Sequence, residues 1–276
     1  MNIKRRDFLG AAALAAGVAA KTQAQEGGKK KGADIPTHQA KVVKVFKGPD
    51  EHPNALEATR DALWIGGQVS EIAYKVDWNT HKVLHQVQTE SHNTSGMAVG
   101  GGYIWMSANG SVNNRRPARP TDFPYEEVVQ CDMETGKTIR RWRAPWPGGV
   151  HGMAWCEPTN TLWVTAVGMR ALAELDTKDN FRILRLAPVQ YERVHGIDWD
   201  NGAIWIMFSN DYVIHKIDVD KNPGKVLEIV KLSKDDPDPH GMCLHEGHLY
   251  YCDAGFPVGS NVSNDPNSGW ICRIDV

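Results

Sequence analysis

Residues 197–206 read Ile197-Asp-Trp-Asp-Asn-Gly-Ala-Ile-Trp205-Ile206, and this arrangement recurs along the chain. A short apolar strand leads to a polar turn, and a second strand follows with an aromatic residue at a fixed position. The Asp-Asn-Gly turn is typical of a tight β-hairpin. Self-similarity of this kind indicates a repeat architecture. The fixed aromatic residues are Trp64, Trp105, Trp163, Trp205 and Tyr250, and we expect them to pack between repeats.

Two further strands follow each hairpin. The third strand ends at an acidic residue, and a turn then leads to the fourth strand. The fifth repeat stops after its third strand, and residues 41–46 at the other end of the chain supply a fourth. We therefore predict an all-β fold, a β-propeller of five four-stranded blades, closed by the N-terminal strand pairing into the last blade. A sixth, degenerate blade within residues 109–126 is the alternative.

The N-terminus has the features of an export signal. Lys4, Arg5 and Arg6 precede an apolar stretch of small residues at 11–20 and then a polar segment. Arg5 and Arg6 followed by Asp-Phe-Leu resemble a bacterial twin-arginine signal. We predict a twin-arginine signal peptide at residues 1–25, a linker at 26–33 and a single propeller domain at 34–276. The twin-arginine translocase would deliver this domain to the periplasm or the cell exterior.

The charge distribution argues against several classes of partner. Residues 1–31 carry seven Lys and Arg against two Asp and Glu, and the remaining residues carry 24 against 31. An acidic folded domain is a poor partner for nucleic acid or anionic membranes, so we expect neither, and no membrane insertion after export. The chain has no dinucleotide fingerprint and no phosphate-binding glycine loop, so no nucleotide cofactor is predicted.

The five cysteines have no Cys-x-x-Cys spacing, which argues against a thiol-rich metal site or a redox pair. Cys243 and Cys252 flank a short turn, where they are candidates for cross-strand neighbours. Buried free thiols are the main expectation.

Candidate chemistry lies in the loop that leads into each blade. The two residues there are Asn54-Ala55, Ser95-Gly96, His151-Gly152, His195-Gly196 and His240-Gly241. The glycine suits a close approach of the backbone to the propeller axis, and the preceding side chain should point into the funnel above it. His151, His195 and His240 are therefore predicted to converge, and His92 lies just upstream in blade two.

Three interpretations of the histidines stay open. They bind a divalent metal ion such as Zn, Fe, Mn, Mg or Ca, leaving positions for water or substrate. Alternatively, one is a general base that the others orient. In the third, His-Gly is a recurring propeller turn whose imidazole hydrogen-bonds the neighbouring blade.

Other candidates lie in loops on the same face. The long loop of blade two carries three arginines suited to holding an oxyanion, although they are equally explained as solvated surface residues. Asp253 would orient a histidine or a metal-bound water, and Glu192 and Arg193 would line the rim. The candidate substrate-binding residues are Arg115, Arg116, Arg119, Tyr191 and Asn109.

The repeat that runs from His151-Gly-Met-Ala-Trp155 to Ala173-Glu-Leu-Asp176 resembles those of the streptogramin (virginiamycin B) lyase-like propellers. It is more distantly similar to the gluconolactonase-like propellers. In the first family a divalent metal and a histidine base open a cyclic ester by elimination. In the second, a divalent metal held by carboxylate and amide side chains assists lactone hydrolysis. The resemblance implies the fold, and it makes the His-Gly positions candidates for a site.

The leading hypothesis is an exported propeller enzyme, a metal-assisted lyase or hydrolase. Its substrate would be a small oxygenated molecule, anionic or a lactone or ester, and the histidine cluster would act on it. The alternatives are a non-catalytic periplasmic binding scaffold and an accessory protein that carries a metal.

Overall fold

The computed structural model describes residues 34–110, 116–255 and 268–276. Within them, strands β1 (Thr37–Gln39) and β2 (Lys41–Lys47) precede the first blade. Blade 1 contains β3 (Pro53–Ala58), β4 (Leu63–Gly67), β5 (Ile72–Val76) and β6 (Val83–Gln88). Blade 2 contains β7 (Thr94–Gly100), β8 (Tyr103–Ala108), β9 (Glu127–Asp132) and β10 (Thr138–Arg143). Blade 3 contains β11 (Met153–Cys156), β12 (Thr161–Ala166), β13 (Ala171–Asp176) and β14 (Arg182–Pro188). Blade 4 contains β15 (Val194–Asp200), β16 (Ala203–Phe208), β17 (Val213–Asp218) and β18 (Val226–Lys231). Blade 5 contains β19 (Pro239–His245), β20 (His248–Asp253) and β21 (Trp270–Asp275).

The strands form five sheets of antiparallel meanders, in which the first strand of each blade lies innermost. The inner strands β3, β7, β11, β15 and β19 contact one another in a ring. The prediction of a five-bladed propeller is confirmed, and the sixth blade considered for residues 109–126 is dropped.

The N-terminal chain closes the ring, as predicted. Strand β2 pairs antiparallel with β21, from Lys41 opposite Asp275 to Lys47 opposite Trp270, and supplies the fourth strand of blade 5. Strand β1 was not predicted, because three residues are too few to show a period of two. It adds to the outer edge of blade 4 in parallel with β18. Consecutive strands therefore attach the start of the domain to two neighbouring blades.

Each junction between blades is filled by one hydrophobic cluster. The fixed aromatic residues of the repeat each belong to a different cluster, which confirms their predicted place between blades. Trp64, Trp105 and Trp163 are no more than 1% exposed, Trp205 is 7% exposed, and Tyr250 is partly buried. Rings of this size bury large apolar areas, so the repeated aromatic supplies much of the contact between sheets.

The acidic residue at the end of the third strand shapes the following turn. Oδ1 of Asp77 accepts hydrogen bonds from the backbone N–H groups of Asn79 and Thr80 at 3.1 and 2.7 Å. Asp132 accepts from Thr135 in the same way, at 2.8 Å. Short acidic side chains stabilise such turns because they satisfy backbone donors that the strand ladder has left unpaired.

The glycines of the inner strands allow the blades to meet at backbone distance. A Cβ atom on Gly96 would lie 1.8 Å from the carbonyl oxygen of His151, and one on Gly152 would lie 1.9 Å from that of His195. On Gly196 it would lie 2.3 Å from the amide nitrogen of Met242. No side chain fits at these distances, so glycine is required by the contact between blades and not by backbone dihedral angles.

All five cysteines are buried and free, as expected from the sequence, and Cys243 is not bonded to Cys252. Across the described ranges, no helix is long and apolar enough to cross a membrane.

Replacing Gly152 with alanine should lower the free energy of unfolding by about 2 kcal/mol or more, because the new methyl group overlaps the backbone of blade 4. Chemical denaturation measures this. The control is Gly48→Ala, whose Cβ would meet its nearest neighbour at an ordinary 3.4 Å. Equal losses in the two variants would contradict the proposed packing.

Candidate functional site

Three histidines from consecutive blades lie ring against ring at the propeller axis. The ring centroids of His151 and His195 are 4.8 Å apart, and those of His195 and His240 are 4.3 Å apart. The ring planes meet at 67° and 68°. This arrangement follows from the inner strands, because each histidine precedes a glycine that seats its strand on the next blade.

The axial channel is narrow, with an empty space of about 160 Å³. Its walls are backbone and small or apolar side chains of the inner strands. They include the glycines that follow the three histidines and not the histidines themselves.

Two of the histidines are held neutral. Burial lowers the pKa of His151 to about 4, and the positive charge of Arg193 contributes. Burial lowers the pKa of His195 well below its usual range, and His240, His151 and Arg193 add to the effect. A ring in this environment stays unprotonated because a second positive charge beside Arg193 would be poorly solvated.

Arg193 touches the central histidine directly. Its Nε donates a hydrogen bond to Nε2 of His195 at 3.1 Å, and its Nη1 donates to Oδ1 of Asn210 at 2.7 Å. Because Nε2 of His195 is the acceptor, the ring proton of this histidine resides on Nδ1. That Nδ1 is buried, and it has no hydrogen-bond partner within the described ranges.

His240 lies beside a carboxylate. Its Nδ1 is 3.3 Å from Oδ2 of Asp238, and the two side chains are 3% and 11% exposed. The carbonyl oxygen of Asp238 lies 3.4 Å from the same Nδ1. Oxygen acceptors beside Nδ1 keep the ring proton on that nitrogen, which makes Nε2 the basic one. This pair has the arrangement of an oriented general base.

In blade 1, the residue at the histidine position has the structural role of the third interpretation, a hydrogen bond to the neighbouring blade. Asn54, which occupies the histidine position there, donates from Nδ2 to the carbonyl of Thr94 in blade 2 at 3.1 Å. No such bond is made by Nδ1 of His151, which is buried and has no partner in the described part of the chain. Blades 1 and 3 thus use the same position differently.

The histidines do not fit a metal ion well. The lone pair on Nε2 of His195 already accepts from the Arg193 guanidinium, and a cation there would face that charge. In residues 34–110, 116–255 and 268–276, no group of three or more His, Cys, Asp or Glu side chains is arranged to hold a metal. Metal ligation by His151, His195 and His240 stays a prediction.

The arginines of the blade-two loop are engaged elsewhere. Arg116 and Arg119 both form ion pairs with the buried carboxylate of Glu71, and Arg116 also pairs with Asp122 at 2.6 Å. These contacts attach the loop to blade 1 and neutralise the guanidinium groups. Arg115 lies outside the described residues. An oxyanion-binding role for these arginines stays a prediction.

The remaining candidates lie near the rim. The ring of Tyr191 packs on Phe208 and His215 at 5.1 and 5.5 Å. Oδ1 of Asn109 is buried and has no hydrogen-bond partner among the described residues. Asp253 accepts from the N–H of Gly255 at 2.9 Å, and its orienting role stays a prediction.

His92 lies on the blade-two loop. Its Nδ1 lies 3.0 Å from the carbonyl oxygen of Phe123, and its Nε2 lies 3.8 Å from Asp122.

Sequence reasoning missed Asp238, and it placed Arg193 only on the rim. A signal for Asp238 existed, since it stands two residues before His240 in Asp238-Pro-His240. The equivalent position in blade 4 is Arg193, two residues before His195. In an extended strand, residues two apart share a face, so a charged side chain there contacts the histidine.

Fold and site together define a five-bladed β-propeller with a histidine-lined funnel. Glutaminyl cyclase of Myxococcus xanthus has a similar structure, with a TM-score of 0.62 at 10% identity over 88% of this chain and 98% of the cyclase. A luciferin-regenerating enzyme matches with a TM-score of 0.51 at 14% identity, over 86% of this chain and 95% of that one. Virginiamycin B lyase of Staphylococcus aureus gives 0.48 at 13% identity, over 84% and 69%.

These identities establish a shared fold and no more. The predicted likeness to propeller enzymes is confirmed at that level, and it rests on the cyclase and the luciferin-regenerating enzyme. No family model matches the sequence, and no curated protein matches it.

The lowered pKa of His151 predicts a loss of stability in acid. The unfolded chain takes up a proton near the usual 6.5, whereas the folded chain resists it until about 4. The free energy of unfolding should therefore fall as the pH is lowered through this window. Denaturation of a His151→Gln variant at about pH 7 and about pH 5 should show a smaller fall than the wild type. His248→Gln, at the exposed start of β20, is the control. An unchanged slope in His151→Gln would contradict the assignment.

Proposed function

We propose that the protein is an exported lyase or hydrolase that acts on a small oxygenated organic molecule at the mouth of the propeller channel. The observation that carries the proposal is the contact of 3.3 Å between Nδ1 of His240 and Oδ2 of Asp238. Together with the Asp238 carbonyl oxygen, 3.4 Å from the same atom, the carboxylate favours the ring proton on Nδ1, so Nε2 would be the nitrogen that acts as the general base.

In a lyase, Nε2 of His240 would take a proton from a carbon next to an electron-withdrawing carbonyl. The electron pair of that C–H bond would form a double bond as the C–O bond to the leaving group breaks. In a hydrolase, the same nitrogen would take a proton from the water that attacks an ester or lactone carbonyl, and it would then protonate the departing oxygen. Asp238 would stabilise the imidazolium that forms in either case.

His195 and His151 support this assignment because neither is suited to act as the base. Their pKa values are lowered by burial and by Arg193, so they are weak bases at neutral pH. They shield the ring of His240 from water on one side and present no competing charge. The base is therefore assigned to the histidine that has a carboxylate beside it.

Replacing His240 with asparagine, or Asp238 with asparagine, should lower turnover by about a hundredfold or more, which is the usual contribution of a general base. The measurement is hydrolysis or elimination across a panel of lactones, esters and oxygen-substituted carboxylic acids. His248→Asn is the matched control, because this histidine is exposed at the opposite end of blade 5. Full turnover in both site variants would refute the assignment.

A binding scaffold is the second candidate, and the position of Arg193 favours it. A guanidinium among neutral rings can hold an anion without chemistry. Saturable binding with no turnover of any panel member would support this candidate. A metal-carrying accessory protein would contain about one equivalent of metal by elemental analysis, and this metal would be lost in a His195→Ala, His240→Ala double variant.

Export by the twin-arginine route is part of the proposal, and it rests on Arg5 and Arg6 in the N-terminal sequence. The conservative Arg5→Lys, Arg6→Lys double variant keeps the charge but removes the arginine pair. The full-length variant should remain in the cytoplasm, which cell fractionation measures. Lys4→Arg is the control, and normal export of the double variant would contradict the route.

A further inference from the structure

Arg193, like Arg140, is a partly buried arginine for which the described residues supply no ion pair, whereas most others have one. Arg116, Arg141 and Arg185 each pair with a buried glutamate. Arg193 donates to two neutral acceptors, His195 and Asn210. Within the described ranges, no Asp or Glu oxygen lies within ion-pair distance of its guanidinium, and its Nη2 makes no hydrogen bond.

This charge is costly to keep beside the axis. A guanidinium in a partly desolvated place is normally paired, because water no longer solvates it fully. The nearest rings do not offset it, since His151 and His195 are neutral and carry no negative charge. An anionic ligand would therefore offset a positive charge that no carboxylate of the described residues pairs with.

The ring of His195 also has a buried donor, on the side that faces away from Arg193. Nδ1 of His195 carries the ring proton, because Nε2 accepts from Arg193. This buried N–H donor has no acceptor in the described part of the chain, and Nδ1 of His151 is also buried without a partner. Buried polar atoms without partners are uncommon in folded proteins, and they cluster where a ligand or water completes them.

We propose that Arg193, oriented by its hydrogen bonds to His195 and Asn210, forms a subsite for the carboxylate group of the substrate. The proposal rests on the proposed function for the chemistry at His240, but the binding itself does not require turnover. Nη2 of Arg193 makes no hydrogen bond within the described ranges, and its N–H groups suit a carboxylate oxygen.

The surroundings select a single negative charge. One guanidinium is the source of positive charge, and Asp238 stands beside the neighbouring histidine. A doubly charged phosphate would need more cations than this and would be repelled by Asp238. The subsite therefore fits a carboxylate and not a phosphate group.

The spacing also limits the length of the substrate. The ring of His195 lies between Arg193 and His240. The ring centroids of His195 and His240 are only 4.3 Å apart. A molecule held by its carboxylate at Arg193 thus brings to His240 an atom only a few bonds away. The substrate class is a short carboxylic acid with an oxygen substituent, such as an ester or a hydroxyl, near the carboxylate.

The test is calorimetric binding to the whole exported chain. The probes are short 2- and 3-hydroxycarboxylates, their primary amides and inorganic phosphate. The carboxylates should bind, and Arg193→Gln should weaken them by about tenfold or more, the effect of losing a charged hydrogen-bond donor. Arg193→Lys should restore part of the affinity. Arg170→Gln is the control, since this exposed arginine lies in the neighbouring blade and bonds the backbone of Gln190.

Several outcomes would overturn the subsite. These are equal binding of the amides, tighter binding of phosphate, unchanged affinity in Arg193→Gln, or no carboxylate binding to the wild type. If Arg193→Gln does not fold, Arg193→Lys and the amide comparison decide alone.

His240→Asn separates this proposal from the proposed function. It should bind the carboxylates normally while losing turnover. Normal binding with full turnover would remove the function assigned to His240 and leave the subsite standing.

Discussion

The structure depends on the contact between the inner strand of one blade and the backbone of the next. Gly96, Gly152 and Gly196 leave no room for a side chain there, so the five strands approach the axis as closely as bare backbone allows. Wider spacing would separate the rings of His151, His195 and His240 and would widen the channel at the centre. The hydrophobic clusters farther out hold the blades together, but they do not set this distance.

The same close approach decides the chemistry of the funnel. Rings brought within 5 Å of each other exclude water, and the loss of water lowers the pKa of His151 and His195. Arg193 remains charged because a guanidinium does not lose its proton in proteins. The site therefore combines one fixed positive charge, neutral imidazoles and one histidine paired with a carboxylate, in a space only a few ångströms wide.

The sequence was sufficient for the fold and for part of the site. The repeated aromatic, the hairpin turn and the glycine after each histidine are local signals, so they predicted five blades, their closure and the meeting of the histidines. Arg116 and Arg119 lie in a long loop, where the sequence does not reveal that Glu71 lies opposite. The contact of Asp238 with His240 was not predicted, because pattern alone does not fix which carboxylate faces a ring. Strand β1 has too few residues to show the two-residue alternation that is typical of a strand.

The strand order has a consequence for the timing of synthesis. Strand β2 is synthesised before every blade, yet its partner β21 comprises residues 270–275 and follows all the other strands of the propeller. Blade 5 therefore cannot be completed until the whole propeller has been synthesised, and the contacts between blades 5 and 1 must wait for it. Blades 2 and 3 consist of consecutive strands and can assemble earlier. The ring thus closes last, in one long-range step that joins the beginning of the propeller to its end.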